Sequence, residues 1–277
     1  QMKKILALAL TLALALPLAA CGGDSGSAST SQEGGVTEVT VGVVGASNGQ
    51  WDTVNELLAD EGIHVKLVEF SDYKLPNEAL NNGDVDLNAF QHKEYFFNEV
   101  ETLGYELSVL GDTIIAPLSL YSNYITDISE LKEGDKIAVP SDPTNEGRCF
   151  KILESAGVLE VDPAAGYNPE IKDITSNPLN LEFIEVEAAN TASLLPDVTA
   201  AFINGAHAVD NGLNVEDAVY TEQVQAGSDN PYINILACRT EDLENEVYQK
   251  VLAAYQSDET AKAIEEIFQG TYIPAWE

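Results

Sequence analysis

From residue 39 onward, short β-branched runs alternate with stretches whose apolar residues recur every three or four positions. Val39 to Val44 is a continuous β-branched run and predicts a strand. The turn Gly45-Ala46-Ser47-Asn48-Gly49 follows, able to cap a helix that begins near Trp51 and carries Val54, Leu57 and Leu58 on one face. Gly62 stops that helix, and Ile63 to Phe70 gives a second strand. Strand, helix, strand predicts a βαβ unit and hence a parallel sheet. The loop Ser71 to Pro76 leads to a short helix, Asn77 to Asn82, and a third strand, Asp84 to Phe90. Gln91 to Leu103 reads as a helix ended by Gly104, with strands next at Leu107 to Leu110 and Thr113 to Tyr121.

A second lobe is predicted to start near Thr126. Its strand Lys136 to Val139 turns at Pro140-Ser141-Asp142-Pro143 into a helix running from about Thr144 to Gly157. Residues 160–178 are polar and broken by Pro and Gly; strands follow at Leu181 to Val186 and Ala200 to Asn204. Pro231 to Ala237 is a strand that returns to the first lobe, and two helices close the chain, with Leu243, Val247, Val251 and Leu252 on one and Ala261, Ile264, Ile267 and Phe268 on the other. The predicted architecture is α/β, with residues 37–122 and 232–277 as lobe 1 and 123–231 as lobe 2. A hinged pair of this kind places its ligand in the cleft, beyond the carboxyl ends of the strands.

Charge narrows the partners. A net charge of −33 argues against nucleic acid and against a basic face for docking on membrane, and reads as solubility. The N-terminus predicts export. Lys3 and Lys4 precede an apolar run, Ile5 to Leu16, too short to span a bilayer comfortably. Leu18-Ala19-Ala20-Cys21-Gly22 then resembles a bacterial lipobox, so residues 1–20 are expected to be a signal peptide, cleaved before a lipidated Cys21. Residues 21–36 are Gly/Ser/Thr-rich and read as a flexible tether. The remaining cysteines, Cys149 and Cys238, either pair or stay as buried thiols.

The candidate chemistry sits at strand ends. Phe70, Tyr73, Phe90, His92 and Tyr95 follow two successive strands, so their loops share one sheet edge; their rings offer apolar area and good contact for a thioether. Phe70 and Phe90 equally fit a core. Arg148, one of only two arginines, lies one turn into its helix, where guanidinium and helix amides together make an anion receptor; an ordinary arginine on an amphipathic helix is the alternative. Asn145, Asn204 and Asn234 each offer a carboxamide oxygen to an ammonium group. Asn234, between Ile233 and Ile235, sits where a strand disfavours it, which calls for either a ligand or a β-bulge. Guanidinium plus amides would recognise a zwitterion. Catalysis is not expected: there is no Gly-x-Ser-x-Gly, no His-Glu-x-x-His and no phosphate loop, and His64, His92 and His207 lack metal-ligand spacing. No histidine is placed by the sequence to serve Cys149 as a base. No metal or cofactor is expected.

Seven segments, VEFSDYKLPNEAL, DVDLNAFQHKEYF, GDTIIAPLSLYS, IAVPSDPTNEGR, NPLNLEFIEVEAA, AAFINGAHA and NPYINILA, resemble the methionine-binding lipoproteins of bacterial ABC importers, the MetQ/NlpA family, in family order. The resemblance implies a two-lobe type II periplasmic-binding-protein fold with the ligand between the lobes. It implies that Arg148 pairs with the methionine carboxylate, that Asn145, Asn204 and Asn234 hold the amino end, and that Phe70, Tyr73, Phe90, His92 and Tyr95 enclose the side chain. It further implies a protein anchored outside the cytoplasm through Cys21 that delivers methionine, L-methionine first, to permease and ATPase subunits. His207 and Cys149 depart from the family pattern, where a Tyr and a Ser or Ala are usual, which leaves D-methionine, an oxidised form or a methionyl peptide as other cargoes. A binder of another small amino acid and a non-transport surface interaction protein are the competing readings.

Overall fold

The β-branched runs and the helical spacings resolve into two open sheets, each with helices packed on its faces. The computed structural model describes residues 32, 33, 35–224 and 229–276. The predicted signal peptide, Cys21 and most of the tether lie outside the described residues.

The first sheet starts with β1 (Gln32–Glu33), antiparallel to β2 (Val36–Val44). Helix α1 (Gln50–Leu58) crosses over to β3 (Ile63–Phe70), which runs parallel to β2 along its whole length, as the βαβ pattern requires. Helix α2 (Pro76–Asn82) leads to β4 (Leu87–Asn88), parallel to β2 on its other side. The predicted third strand is therefore short, and Ala89 and Phe90 leave the sheet. Helix α3 (Lys93–Leu103) and β5 (Leu107–Ile115) complete this part.

The chain then crosses to the second sheet with β6 (Ser119–Tyr121), β7 (Lys136–Pro140), α4 (Pro143–Ser155), a small β8–β9 ribbon (Glu160–Val161 and Ile174–Ser176), β10 (Glu182–Val186), β11 (Ala200–Ile203), α5 (Gly205–Asp210) and β12 (Tyr220–Thr221). The sheet order is β10-β7-β11-β6-β12. Ser119–Tyr121 pairs with β11 and β12, so the second sheet begins at Ser119 rather than after residue 122. The apolar run Thr113 to Tyr121 is one strand in composition, but it is split between two sheets at Ala116–Leu118. The chain returns as β13 (Ile233–Arg239), inserted antiparallel between β4 and β5, then α6 (Glu246–Tyr255), α7 (Asp258–Phe268) and the edge strand β14 (Ile273–Pro274).

Each sheet has its own core. Val41, Val43, Trp51, Val54, Leu236 and Tyr255 pack in the first, with the Trp51 and Tyr255 rings 5.0 Å apart; Leu120, Ile137, Val139, Phe150 and Phe202 pack in the second. Cys149 and Cys238 are separate buried free thiols, one in each lobe. Burial pushes the Cys149 thiol well up despite the neighbouring arginine, so it lacks the thiolate character a nucleophile needs. Among the described residues no helix is long and apolar enough to cross a membrane.

Helix α4 carries the positions that matter most, and its placement is set locally. Asp142 caps it by accepting from Asn145 N–H at 2.9 Å, and Pro143 supplies the pre-set first turn. Gly147 lets the loop at 167–169 lie directly on the helix: a Cβ there would stand 2.6 Å from Asn168 Cα and 2.7 Å from the Tyr167 carbonyl oxygen. Those are backbone atoms that cannot swing aside. Gly147→Ala is expected to lower stability by about 1–3 kcal/mol, read as a reduced midpoint in denaturant melts, although alanine is the better helix former. An unchanged or raised midpoint would contradict the close packing.

Candidate functional site

A cavity of about 720 Å³, including its open mouth, lies between the two sheets. Tyr73, Phe90, His92 and Tyr95 line it from loops of the first sheet, Asn145 and Arg148 from α4, Asn204 from the end of β11, and Asn234 from β13. Eight of the nine predicted ligand residues thus come together. Phe70 does not line the cavity. Strand alternation gives it the parity of Val68, and its ring packs with the cluster of Leu80, Val85 and Phe96, close beneath Gly42.

The aromatic wall is fixed by hydrogen bonds behind it. The side chains of Asn77, Asn88 and Gln91 bond one another at 2.6–3.0 Å, holding the loop from which Phe90 and His92 project. Tyr95 donates its hydroxyl to the Tyr73 carbonyl at 3.0 Å. Ring centroids of Tyr73, Phe90 and Tyr95 are all 5.9–6.0 Å apart, with Tyr95 edge-to-face against the other two, a geometry that favours aromatic contact.

His92 caps α3: its Nδ1 accepts from Tyr95 N–H at 3.0 Å, so the other ring nitrogen, Nε2, carries the proton and lies 3.2 Å from Asn145 Oδ1. Burial and the Arg148 charge depress its pKa to about 3, so the ring stays neutral. Asn145 Oδ1 also accepts from Asn204 Nδ2 at 2.8 Å, while Asn145 Nδ2 donates to the Asp142 carboxylate. The Asn145 amide is fully engaged by the protein. Its effect is to turn Asn204, whose Oδ1 is left buried without a partner among the described residues. Gln50 Oε1, on the first-sheet side of the cavity, is a second buried acceptor without a donor. Asn234 lies at a β-bulge, where β13 shifts register against β5, and it also lines the cavity.

Arg148 is 2% exposed. Its Nε donates to Glu222 Oε1 at 3.0 Å, and its Nη2 donates to Glu222 Oε2 at 2.5 Å and to the Ala116 carbonyl at 3.0 Å. The guanidinium lies 4.3 Å from the Tyr232 ring centroid. Three of its five N–H groups are thereby used, and both hydrogens of Nη1 have no partner among the described residues. Glu222 is anchored in turn by accepting from Leu118 N–H at 3.1 Å. Sequence reasoning missed Glu222, as well as the lining residues Asn48, Gln50, Thr113 and Tyr272. His207 does not line the cavity. It is buried behind Tyr73, ring centroids 4.9 Å apart, with burial lowering its pKa, and so it backs the aromatic wall as a neutral ring. Among the described residues no group of His, Cys, Asp or Glu is arranged to hold a metal.

The lobes meet around this cavity. Ala46 and Ser47 N–H groups reach the Asp210 carboxylate at 3.1–3.3 Å, Asn168 donates to Glu94 at 2.7 Å, and Lys74 pairs with Glu187. Gly45, at φ +80°, makes the first contact possible, since a Cβ there would strike Asp210.

Two sheets joined by two crossings, with a polar and aromatic cavity between them, define a type II periplasmic binding protein. The chain belongs to the NlpA lipoprotein family, whose model matches residues 39–276. It is 38% identical over 281 residues, spanning the whole of both chains, to the "Probable D-methionine-binding lipoprotein MetQ" of Pasteurella multocida. Among solved structures, a nutrient-binding protein from Burkholderia cenocepacia bound to methionine is 36% identical, with a TM-score of 0.81 over 86% of this chain and 100% of that one. The substrate-binding protein of a methionine transporter from Streptococcus pneumoniae is 33% identical, with a TM-score of 0.81 over 86% of this chain and 96% of that one.

Next to Asn145, but turned away from the cavity, Glu146 is 5% exposed and its Oε1 has no partner among the described residues. Burial, then the carboxylates of Glu185 and Glu170, raise its pKa from 4.5 to about 7. The native state therefore holds a proton that the unfolded chain releases, and the stability this gives below pH 4.5 is lost as pH rises through about 7. Glu146→Gln should raise the melting temperature relative to wild type at pH 8 and change it little at pH 5. Equal shifts at the two pH values would contradict the protonated reading.

Proposed function

We propose that the chain is a non-catalytic substrate-binding protein that captures methionine, L-methionine as the expected form, and delivers it to the permease and ATPase of an ABC importer. One observation carries this reading. In one cavity lined by both Arg148 and Asn204, the two Nη1 hydrogens of Arg148 are unspent and the buried Oδ1 of Asn204 lacks a donor among the described residues. A carboxylate and an ammonium on one carbon satisfy both. The role of holding the amino end then falls chiefly to Asn204 and Asn234, with Asn145 and His92 orienting Asn204. The rings of Tyr73, Phe90 and Tyr95 offer the thioether about 0.3–1.5 kcal/mol per contact beyond burial. The Burkholderia cenocepacia relative bound to methionine and the Streptococcus pneumoniae methionine-transport protein support the cargo and the transporter.

Closure follows from differential binding. The cavity groups come from both lobes, so the cargo stabilises the closed form more than the open one. The lipobox reading of Cys21 supplies the anchor: a lipid-modified protein held outside the cytoplasm, tethered to the cell membrane through residues 21–36.

Mass spectrometry and chiral chromatography of the small molecule released on denaturation test the cargo. Methionine is the expected result, and recovery of an amino acid without sulfur would contradict it. In the protein freed of cargo, Arg148→Ala should lower methionine affinity tenfold or more, because a charge-assisted bond contributes roughly 1.5–3 kcal/mol net. An unchanged methionine-induced thermal shift in that variant would remove Arg148 from the site.

A further inference from the structure

We propose that Glu222 sets the charge class of the cargo, making the site prefer a zwitterion over a monoanion with the same carboxylate and side chain. The proposal rests on the amino-acid reading above.

Arg148 is the only cationic side chain lining the cavity among the described residues, since His92 is neutral there. Its charge is already matched by the Glu222 carboxylate, bound through both oxygens at 3.0 and 2.5 Å. The pair is almost wholly withdrawn from water, with side chains 3% and 12% exposed, so solvent screens it little. The nearby Asp142 carboxylate adds negative charge, which disfavours a further anion and is partly offset by the α4 N-terminus. It is taken up at the α4 N-terminus by Asn145 N–H at 2.9 Å and the Thr144 hydroxyl at 2.8 Å.

The Arg148–Glu222 pair therefore sums to zero. A zwitterion adds nothing to that sum, whereas a 2-oxo acid leaves an uncompensated negative charge beside a pair withdrawn from water, where charge is costly. Neutralising Glu222 reverses the balance: the lone guanidinium then suits the monoanion and leaves the zwitterion in a net positive site. A structural role alone would move both ligands together, because each uses the same Nη1 hydrogens. A charge role moves them apart.

The test compares methionine with 4-methylthio-2-oxobutanoate by calorimetric titration of the refolded, cargo-free protein. Leucine and 4-methyl-2-oxopentanoate are run in parallel. Wild type should prefer the amino acid, and in Glu222→Gln the ratio of amino-acid to oxo-acid affinity should fall at least tenfold. Glu222→Asp keeps the charge and should stay within about threefold of the wild-type ratio, even if both affinities drop.

Should Glu222→Gln fail to fold with its guanidinium buried alone, the same change is made on an Arg148→Gln background, where no lone cation remains. Adding Glu222→Gln there should again lower the ratio at least tenfold. A ratio that stays within threefold when Glu222 is neutralised overturns the proposal. If only the leucine pair gives binding heat, the methionine reading fails, while the ratio for that pair still decides the role of Glu222.

Discussion

A buried guanidinium must be matched, and the structure is arranged around matching Arg148. Moving a cation out of water costs several kcal/mol unless charge and hydrogen bonds replace the lost hydration. Glu222 supplies the charge, the Ala116 carbonyl a further acceptor and Tyr232 an aromatic face. The result is a rigid fork with one nitrogen left over for a ligand. Because the arginine is held before any ligand arrives, little side-chain entropy is lost on binding.

The partners of Arg148 place that fork at the hinge. Ala116 and Leu118 lie on the first crossing between the sheets, while Glu222 and Tyr232 flank the second. Arg148, on a helix of the second lobe, is thus tied to the segments that connect the two lobes. Contacts further out join opposite lobes directly: Asp210 under the Ala46 and Ser47 amides, Glu94 with Asn168 and Lys74 with Glu187. Exposed pairs such as Lys74–Glu187 contribute little by themselves, so on the proposed reading cargo in the cavity adds the larger share of what holds the lobes together. That is the energetic arrangement a transport receptor needs, since it must hold its cargo and still release it.

Much of this was legible in the residues. Short β-branched runs and glycine stops located β2, β3, α1 and α3 to within a few positions, and the rule that ligands meet the carboxyl ends of strands collected Tyr73, Phe90, His92 and Tyr95. Phe70 was drawn in by its place at a strand end, although its parity with Val68 points it to the other face. The strand assignment of 113–121 failed because hydrophobicity does not record which sheet a strand joins. Glu222 left no mark at all. It is one acid among 46 Asp and Glu residues, and its partner is 74 positions away in the chain. Asn145 was legible as a cavity residue, but not as the one whose amide is spent on Asp142, His92 and Asn204.

The most direct measurement is a crystal structure of the protein with its cargo retained. A carboxylate about 3 Å from Arg148 Nη1, an ammonium at a similar distance from Asn204 Oδ1, and a sulfur-bearing chain against Tyr73, Phe90 and Tyr95 are the predicted result. A cargo whose carboxylate lies away from Arg148, with Nη1 still unengaged, would contradict the account.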